Sequence, residues 1–211
     1  MSKLMINNPR FVCENINDFM QLYNQKYEND DIVEGMVLAT NILDYNPETA
    51  ELINKICSPF ATKLIELLKL TMDRANNPQQ YQIQTNAKSD SETYLTKQEE
   101  EMLFENLVKM SLVARNLNPV DENAKQHVMV EIFREFWPLI EYMLKTYKSK
   151  SRFMEKVCKI VKHTMRCIKH LFLEFVETYF TIILQNYQEY PLPAYLYTVE
   201  VALTIFHKNP N

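Results

Sequence analysis

Hydrophobic positions recur every three or four residues along most of the chain, which is the spacing of one face of an α-helix. The segment 172–187 shows this most clearly. Its apolar and aromatic positions are Phe172, Phe175, Val176, Tyr179, Phe180, Ile183 and Tyr187. The segment 193–207 is apolar around most of its circumference, so we expect a helix there with neighbours on more than one side. The pattern predicts helices for both segments.

Capping residues predict where several helices begin. The segments Asp31-Ile-Val-Glu34 and Thr96-Lys-Gln-Glu99 have the spacing of a capping box, in which a side-chain oxygen accepts from a first-turn amide and the Glu side chain reaches back. Asn46-Pro47 and Ser58-Pro59 each place a capping side chain before a first-turn proline. These four segments are predicted helix starts.

Two polar interruptions separate the predicted helices. The helix that begins after Thr96 is predicted to run to about Arg115, because Asn118-Pro119 breaks the pattern, and Asp121 is predicted to begin the next helix. Residues 76–96 are polar and rich in Asn, Gln and Ser, which predicts a flexible loop.

The remaining pattern predicts about seven or eight helices of roughly 14 to 27 residues. A compact bundle or an α-solenoid of stacked helix pairs would fit. Helix pairs of about 40 residues cover 121–170 and 174–207, which is the period of HEAT repeats. We therefore predict an all-α, fragment-like α-solenoid of HEAT/ARM-like antiparallel repeats. Its predicted parts are helical repeats in 1–75, a polar flexible loop in 76–96, and helical repeats in 97–211 that include a basic helix at 152–170.

The composition supports this fold class and limits the function. Gly35 is the only glycine in 211 residues, which disfavours hairpin-rich folds, P-loops and dinucleotide-binding fingerprints. The four cysteines form no CxxC pair, so we expect reduced thiols in an intracellular protein. No apolar run reaches the roughly 18 residues that a membrane span needs, and we expect no membrane partner.

Positive charge is concentrated in one segment of a chain whose net charge is -4. Residues 145–169 contain only one acidic residue, Glu155, among many Lys and Arg. On a helix, six side chains in this segment form one stripe, with Lys162 and Lys169 on its flank. The stripe consists of Arg152, Lys156, Lys159, His163, Arg166 and His170.

This stripe is either a solvated face or a docking surface for a polyanion, which would be a phosphorylated or acidic peptide or a nucleic-acid backbone. Nucleic acid is disfavoured because no aromatic residue is interleaved with the cations on this face of the predicted helix.

The same segment contains three potential metal ligands, His163, Cys167 and His170, at spacings of four and three. We expect no metal there, because Arg166 and Lys169 would repel a cation and structural zinc usually has four ligands. Cys167 is expected at the edge of the core. No grouping of residues suggests catalysis, so we expect a non-enzymatic protein without cofactors.

A resemblance to a known family covers roughly residues 31–207. The segments that carry it are Phe136-Trp-Pro-Leu-Ile140, the basic segment 152–167 and Pro193-Ala-Tyr-Leu-Tyr197, with Cys57-Ser58-Pro59 and the segment 112–119 upstream in the expected order. They resemble the C-terminal HEAT-repeat portion of the transportin-SR branch of the importin-β (karyopherin) nuclear transport receptors. In that branch the basic helix reads R-x-x-E-R-x-C-R-x-x-R-x-x-x-R-C. The matching identities here are Arg152, Glu155, Cys158, Arg166 and Cys167.

The resemblance implies a nuclear import receptor segment that shuttles between cytoplasm and nucleus. Its basic inner helix would grip Arg-Ser-rich, commonly phosphorylated, protein cargo. Carried over by position, the cargo-binding residues are Arg152, Lys156, Lys159, Lys162, Arg166 and Lys169. Three of these are Lys where the family has Arg, and ammonium binds phosphate as a point charge rather than through a bidentate fork. We therefore expect less geometrically selective binding.

The resemblance also locates Met1 in what would be the middle of a longer receptor. The Ran GTPase and nucleoporins are therefore expected to bind only through repeats largely missing here, and the chain is either a fragment or a shortened relative. The residues leave two other interpretations open. One is a helical scaffold or adaptor that binds an acidic partner and is unrelated to transport, and the other is an RNA-binding helical repeat protein.

Overall fold

The fold is described by a computed structural model for residues 2–43, 46–76 and 94–207. Within these residues the chain forms α-helices, one 3₁₀ helix and no β-strand. The helices are α1 (Ser2–Asn7), α2 (Pro9–Glu14), α3 (Ile16–Lys26), α4 (Asp30–Thr40), α5 (Pro47–Asn76), α6 (Lys97–Asn116), α7 (Val128–Thr146), α8 (Ser151–Ile168), the 3₁₀ helix (Lys169–Phe172), α9 (Leu173–Glu189) and α10 (Pro193–Phe206).

The longer helices form two layers. Helices α4, α6, α8 and α10 lie side by side in that order and make up what we call the front layer, while α5, α7 and α9 make up the back layer. Each back-layer helix also packs on the front-layer helix that follows it in the chain. Successive helix pairs therefore stack on one another, and the predicted all-α solenoid is confirmed.

The N-terminal region differs from the prediction of uniformly long helices. Helices α1 and α2 have 6 residues each and pack on α4. Gly35 lies in the middle of α4, where a Cβ atom would stand 2.6 Å from the Cβ of Met5. The single glycine therefore lets α1 approach α4 closely.

Two predicted helix starts are confirmed. Thr96 and Glu99 form a complete capping box, with Thr96 Oγ1 accepting from the Glu99 amide at 3.2 Å and a Glu99 carboxylate oxygen accepting from the Thr96 amide at 2.8 Å. Asn46 Oδ1 accepts from the Thr49 amide at 2.9 Å, ahead of Pro47 at the start of α5. The predicted helices over 172–187 and 193–207 are also confirmed as α9 and α10.

The predicted capping box at Asp31 is wrong. Helix α4 begins at Asp30, because Asn29 Oδ1 accepts from the amides of Asp31 and Ile32 at 3.0 and 3.3 Å. Asn29, two residues upstream of Asp31, is therefore the N-cap of α4.

The predicted helix start at Asp121 is also wrong. Helix α7 begins at Val128, where His127 Nδ1 accepts from the Met129 amide at 3.2 Å. The preceding residues are held against the end of α8, since the Val120 amide donates to the Cys167 carbonyl at 2.7 Å. This tertiary contact keeps the segment around Asp121 out of a helix.

The predicted start at Ser58-Pro59 is wrong as well, because α5 continues through Pro59 for 30 residues. Buried side chains lie on both sides of the proline, including Ile56 and Phe60, so one apolar face spans the whole helix. The hydroxyl of buried Tyr23 donates to the Ile56 carbonyl close to the proline. Packing on this face keeps α5 in one piece although Pro59 lacks an amide donor.

Helix α10 has neighbours on two sides, α8 and α9, as its apolar circumference predicts. Leu196 and Leu203 nevertheless stay exposed, Leu203 to 65%.

The greater part of the predicted loop 76–96 lies outside the described residues, so that prediction stays untested. Among the residues that are described, no helix has the length and apolar character that crossing a membrane would require.

Candidate functional site

Helix α8 lies in the middle of the front layer, between α6 and α10. Its apolar face anchors it to its neighbours. The ring centroid of Phe153 lies 4.8 Å from that of Phe104 on α6 and 4.4 Å from that of Tyr147. Val157, Val161 and Ile168 are fully buried on the same helix. The predicted amphipathic basic helix is therefore observed, and burial of one face fixes which side chains point outward.

Four of the predicted cations form one continuous surface. Lys159 and Arg166 are exposed, and Lys156 and Lys162 are half-buried beside them. No ion pair within the described residues engages any of the four. We call this set (Lys156, Lys159, Lys162 and Arg166) the cationic face.

Arg152 lies at the N-terminal end of α8 and has partners of its own. Its guanidinium carbon lies 4.3 Å from the centroid of the Phe104 ring, and a guanidinium nitrogen lies 3.7 Å from a carboxylate oxygen of Glu100. The charge of Arg152 is thus partly matched by α6, unlike the charges of the cationic face.

The predicted stripe is wrong at its C-terminal end. Helix α8 ends at Ile168, and Lys169, which follows it, has a positive φ of 44°. His170 Nε2 lies 2.8 Å from the Ala124 carbonyl oxygen, so this side chain holds the preceding loop. The helical stripe therefore ends at Arg166.

His163 belongs to the predicted stripe but carries little positive charge at neutral pH. The side chain is buried between cations, with only 9% of the residue exposed. Burial first, and then Lys162, Arg115, Arg166 and Lys159, lower the pKa of His163 to about 4. The imidazole is thus a neutral group beneath the cationic face.

The charges of the front layer follow a pairing pattern that stops at this face. Lys109 lies 3.6 Å from Asp30, and Arg115 lies 3.0 Å from Glu34, so cations of α6 pair with acids of α4. Arg152 of α8 likewise pairs with an acid of α6. Farther along α8, the residue of α6 that acts on His163 is the cation Arg115.

Burial and the neighbouring like charges both disfavour the charged form of Lys162. Burial, together with Arg166 and Lys159, lowers the pKa of the Lys162 ammonium. An anion bound at the cationic face would relieve this repulsion. The arrangement can therefore attract anions electrostatically.

Packing adds two residues that the sequence analysis missed. Arg115 comes from α6, and Tyr197 of α10 presents its ring with the centroid 5.5 Å from Lys162 Nζ. The face therefore has an aromatic neighbour, contrary to the interpretation from the basic segment alone. Tyr197 is 35 positions away from Lys162 in the sequence, and no local pattern indicates that the two residues meet.

The three potential metal ligands at 163, 167 and 170 have other roles. Cys167 is buried with its Sγ 3.9 Å from the Asn118 carbonyl oxygen, and burial raises the pKa of its thiol to about 12. The predicted location of Cys167 at the edge of the core is consistent with this burial. In the described part of the chain, no group of three or more His, Cys, Asp or Glu side chains is arranged to hold a metal ion.

The C-terminal part of the chain matches a known family model. Residues 127–211 match the model described as the Transportin-3/Importin-13 fourth TPR domain. This range begins at the cap of α7 and includes α8, with the whole cationic face, and α10 with Tyr197. This match confirms the resemblance to the transportin-SR branch of the importin-β family for residues 127–211, which are similar to a repeat domain of that family.

Proposed function

We propose that the chain acts as a segment of a nuclear transport receptor and binds protein cargo through the cationic face of α8. The cargo is an Arg-Ser-rich or other anionic or phosphorylated segment. The match of residues 127–211 supports the coarse function, transport of protein cargo. The observation that carries the finer proposal is the set of four neighbouring cations on α8 with no ion pair within the described residues.

Electrostatics favours an anionic ligand at this location. Surface cations are usually interspersed with acids, and like charges four residues apart destabilise a helix by a few tenths of a kcal/mol per pair. Lys159, Lys162 and Arg166 follow spacings of three and four, so they repel one another along one helix face. A ligand with several negative charges would turn this repulsion into attraction.

Phosphate fits this face better than a single carboxylate does. A phosphoserine carries about -1.5 to -2 charges and three acceptor oxygens at neutral pH. Arg166 offers a guanidinium fork, while Lys156, Lys159 and Lys162 offer point charges that adapt to different anion positions. The face therefore fits a flexible phosphorylated segment with several phosphates.

The remaining parts of the proposal follow from transport as the function. The helix pairs are proposed to be of the HEAT type, the protein to be non-enzymatic, and its location to alternate between cytoplasm and nucleus. Binding of Ran GTPase and nucleoporins is assigned to repeats outside the segment that carries the cationic face.

Fluorescence anisotropy with a labelled Arg-Ser peptide, phosphorylated or not, tests the proposal. The test variant combines Lys156→Glu, Lys159→Glu, Lys162→Glu and Arg166→Glu. A control variant with the same change in net charge combines Lys3→Glu, Lys26→Glu, Lys69→Glu and Lys97→Glu, all at exposed positions. Circular dichroism checks that both variants keep their helices.

We expect the wild-type chain and the control variant to bind the phosphopeptide, with affinity that falls as salt is raised, and the test variant to lose binding. Equal losses in both variants would indicate a nonspecific charge effect and would contradict a cargo site on α8. Stronger binding of single-stranded RNA than of the phosphopeptide would favour the RNA-binding interpretation instead.

A further inference from the structure

We infer that Lys162 and Tyr197 form a subsite for one phosphate group of the bound ligand, with Tyr197 as a specificity-determining residue. This inference rests on the proposed function of the cationic face. It adds a second helix, α10, to the binding surface and a residue that lies outside the basic segment.

The evidence is a comparison within the molecule. Among the described residues, three other cations lie over an aromatic ring, and each is also paired with a carboxylate. Lys63 Nζ lies 5.0 Å from the Tyr27 centroid and 3.7 Å from Glu28. The other two are Lys148, which lies 5.6 Å from the Tyr190 centroid and is paired with Glu189, and Arg152, which lies over Phe104 and is paired with Glu100.

The fourth such pair lacks its anion. Lys162 Nζ lies 5.5 Å from the Tyr197 centroid, which is close to the distance in the Lys148–Tyr190 pair. No carboxylate of the described residues forms an ion pair with Lys162. Its charged neighbours are instead Lys159 and Arg166, which disfavour the ammonium form. Among the described residues, the arrangement of ring, cation and anion is therefore complete three times and incomplete once.

A ligand anion can complete this arrangement because its parts are accessible. Tyr197 is 37% exposed, and Lys162 is only half-buried. The ring attracts the ammonium to its face, which limits the positions of the ammonium and leaves its other side for an anion. Because the contact with the ring already restricts the rotamers of Lys162, this side chain loses less conformational entropy when an anion binds.

Phosphate is the anion that this subsite favours. Lys159 and Arg166 lie one helical turn on either side of Lys162, so an anion at Lys162 is also within the field of both. A phosphate with nearly two charges gains more from three cations than a carboxylate with one charge. The subsite is therefore expected to distinguish phosphoserine from glutamate.

The test compares Tyr197→Ala with Tyr190→Ala, its matched control from a pair that already has a carboxylate. Affinities are measured by anisotropy for the phosphorylated Arg-Ser peptide and for the same peptide with Glu at each phosphoserine. We expect Tyr197→Ala to weaken phosphopeptide binding by about threefold to tenfold and to reduce the preference over the Glu peptide. Tyr197→Phe, which keeps the ring, should retain most of the affinity, and Tyr190→Ala should behave as the wild type.

Each other outcome is decisive. If Tyr197→Ala binds the phosphopeptide as tightly as the wild type while reversal of the four cations abolishes binding, the subsite is wrong and the cargo site on α8 stands. If Tyr190→Ala loses as much affinity as Tyr197→Ala, the effect is not specific to the incomplete pair and the inference is overturned. If the wild-type chain does not bind the phosphopeptide, the proposed function fails and the subsite fails with it.

Discussion

The guanidinium of Arg152 lies over the ring of Phe104, 4.3 Å from its centroid, and ties the start of α8 to α6. The carboxylate of Glu100 completes the contact at 3.7 Å. Arg152 therefore marks the boundary of the cationic face, although its residue type and spacing are those of the residues within it. Cations with the same helical spacing therefore differ in whether a neighbouring helix supplies a carboxylate partner.

This difference predicts unequal effects of two arginine substitutions on cargo binding. Arg166→Ala removes an exposed cation without a partner in the described residues, and we expect about a tenfold loss of phosphopeptide affinity. Arg152→Ala removes a cation that is already paired, and we expect less than about a threefold loss. Anisotropy titrations at one salt concentration measure both, and a larger loss for Arg152→Ala would contradict the assigned boundary.

Buried His163 predicts a pH dependence of stability. Its pKa is about 4 in the folded chain, against an ordinary value of 6.5, so below pH 6.5 the unfolded chain binds the proton more readily. As pH falls from 6.5 to about 4, this residue should therefore lower the free energy of unfolding, by roughly 3 kcal/mol in total. Urea unfolding across this range measures the effect.

The control for this prediction is His163→Gln, which keeps a polar side chain that does not titrate. The variant should lose less stability than the wild type between pH 6.5 and 4. The residual slope includes His127, whose pKa is also lowered, mainly by burial. Parallel pH profiles for the two proteins would show that His163 titrates normally and is not buried as described.

The hydrogen bond from Tyr23 to the Ile56 carbonyl predicts a stability loss on removal of one hydroxyl. Tyr23 is fully buried, and burial, together with Cys57 and Tyr27, raises its pKa. Tyr23→Phe should lower the free energy of unfolding by about 1 kcal/mol, because the carbonyl loses a buried donor close to Pro59. Urea denaturation measures this loss, with exposed Tyr197→Phe as the control that should leave stability unchanged.

The close approach of α1 to α4 predicts that Gly35→Ala destabilises the chain through its contact with Met5. Alanine in place of glycine ordinarily favours a helix by about 1 kcal/mol. At Gly35 the new Cβ would meet Met5 Cβ at 2.6 Å, so we expect Gly35→Ala to destabilise the chain by about 1 to 3 kcal/mol. In a Met5→Gly background, which removes the Cβ atom that the new methyl group would meet, most of this loss should disappear.

Thermal or urea unfolding of Gly35→Ala, Met5→Gly and the double variant measures the coupling. If Gly35→Ala stabilises the otherwise unchanged chain, α1 does not pack on α4 as described.

Much of the fold could be predicted from local sequence signals. The capping box of Thr96 and Glu99 involves contacts within four residues, so its pattern was sufficient. The predicted start at Ser58-Pro59 failed because the apolar face of α5 continues across the proline, and packing outweighed the missing amide donor. The predicted start at Asp121 failed because the Val120 amide bonds to α8, which is distant in the sequence.

The candidate site could be predicted only in part for the same reason. Helical spacing identified Lys159 and Arg166 as neighbours on one face. The same spacing also placed His163 among the exposed cations. Its burial could not be predicted from the basic segment, because it depends on how α8 packs against α6. Tyr197 was missed because its contact with Lys162 depends on how α10 packs against α8.

The most direct test of the central claim maps where a phosphorylated Arg-Ser peptide binds. Amide chemical shifts of the isotope-labelled chain would be followed by NMR during titration with the phosphorylated and unphosphorylated peptides. We predict that the phosphopeptide shifts resonances of α8 between Lys156 and Arg166, together with those around Tyr197, and that the unphosphorylated peptide does so weakly. Shifts confined to other helices, or equal shifts with both peptides, would contradict a phosphate-binding cargo site on the cationic face.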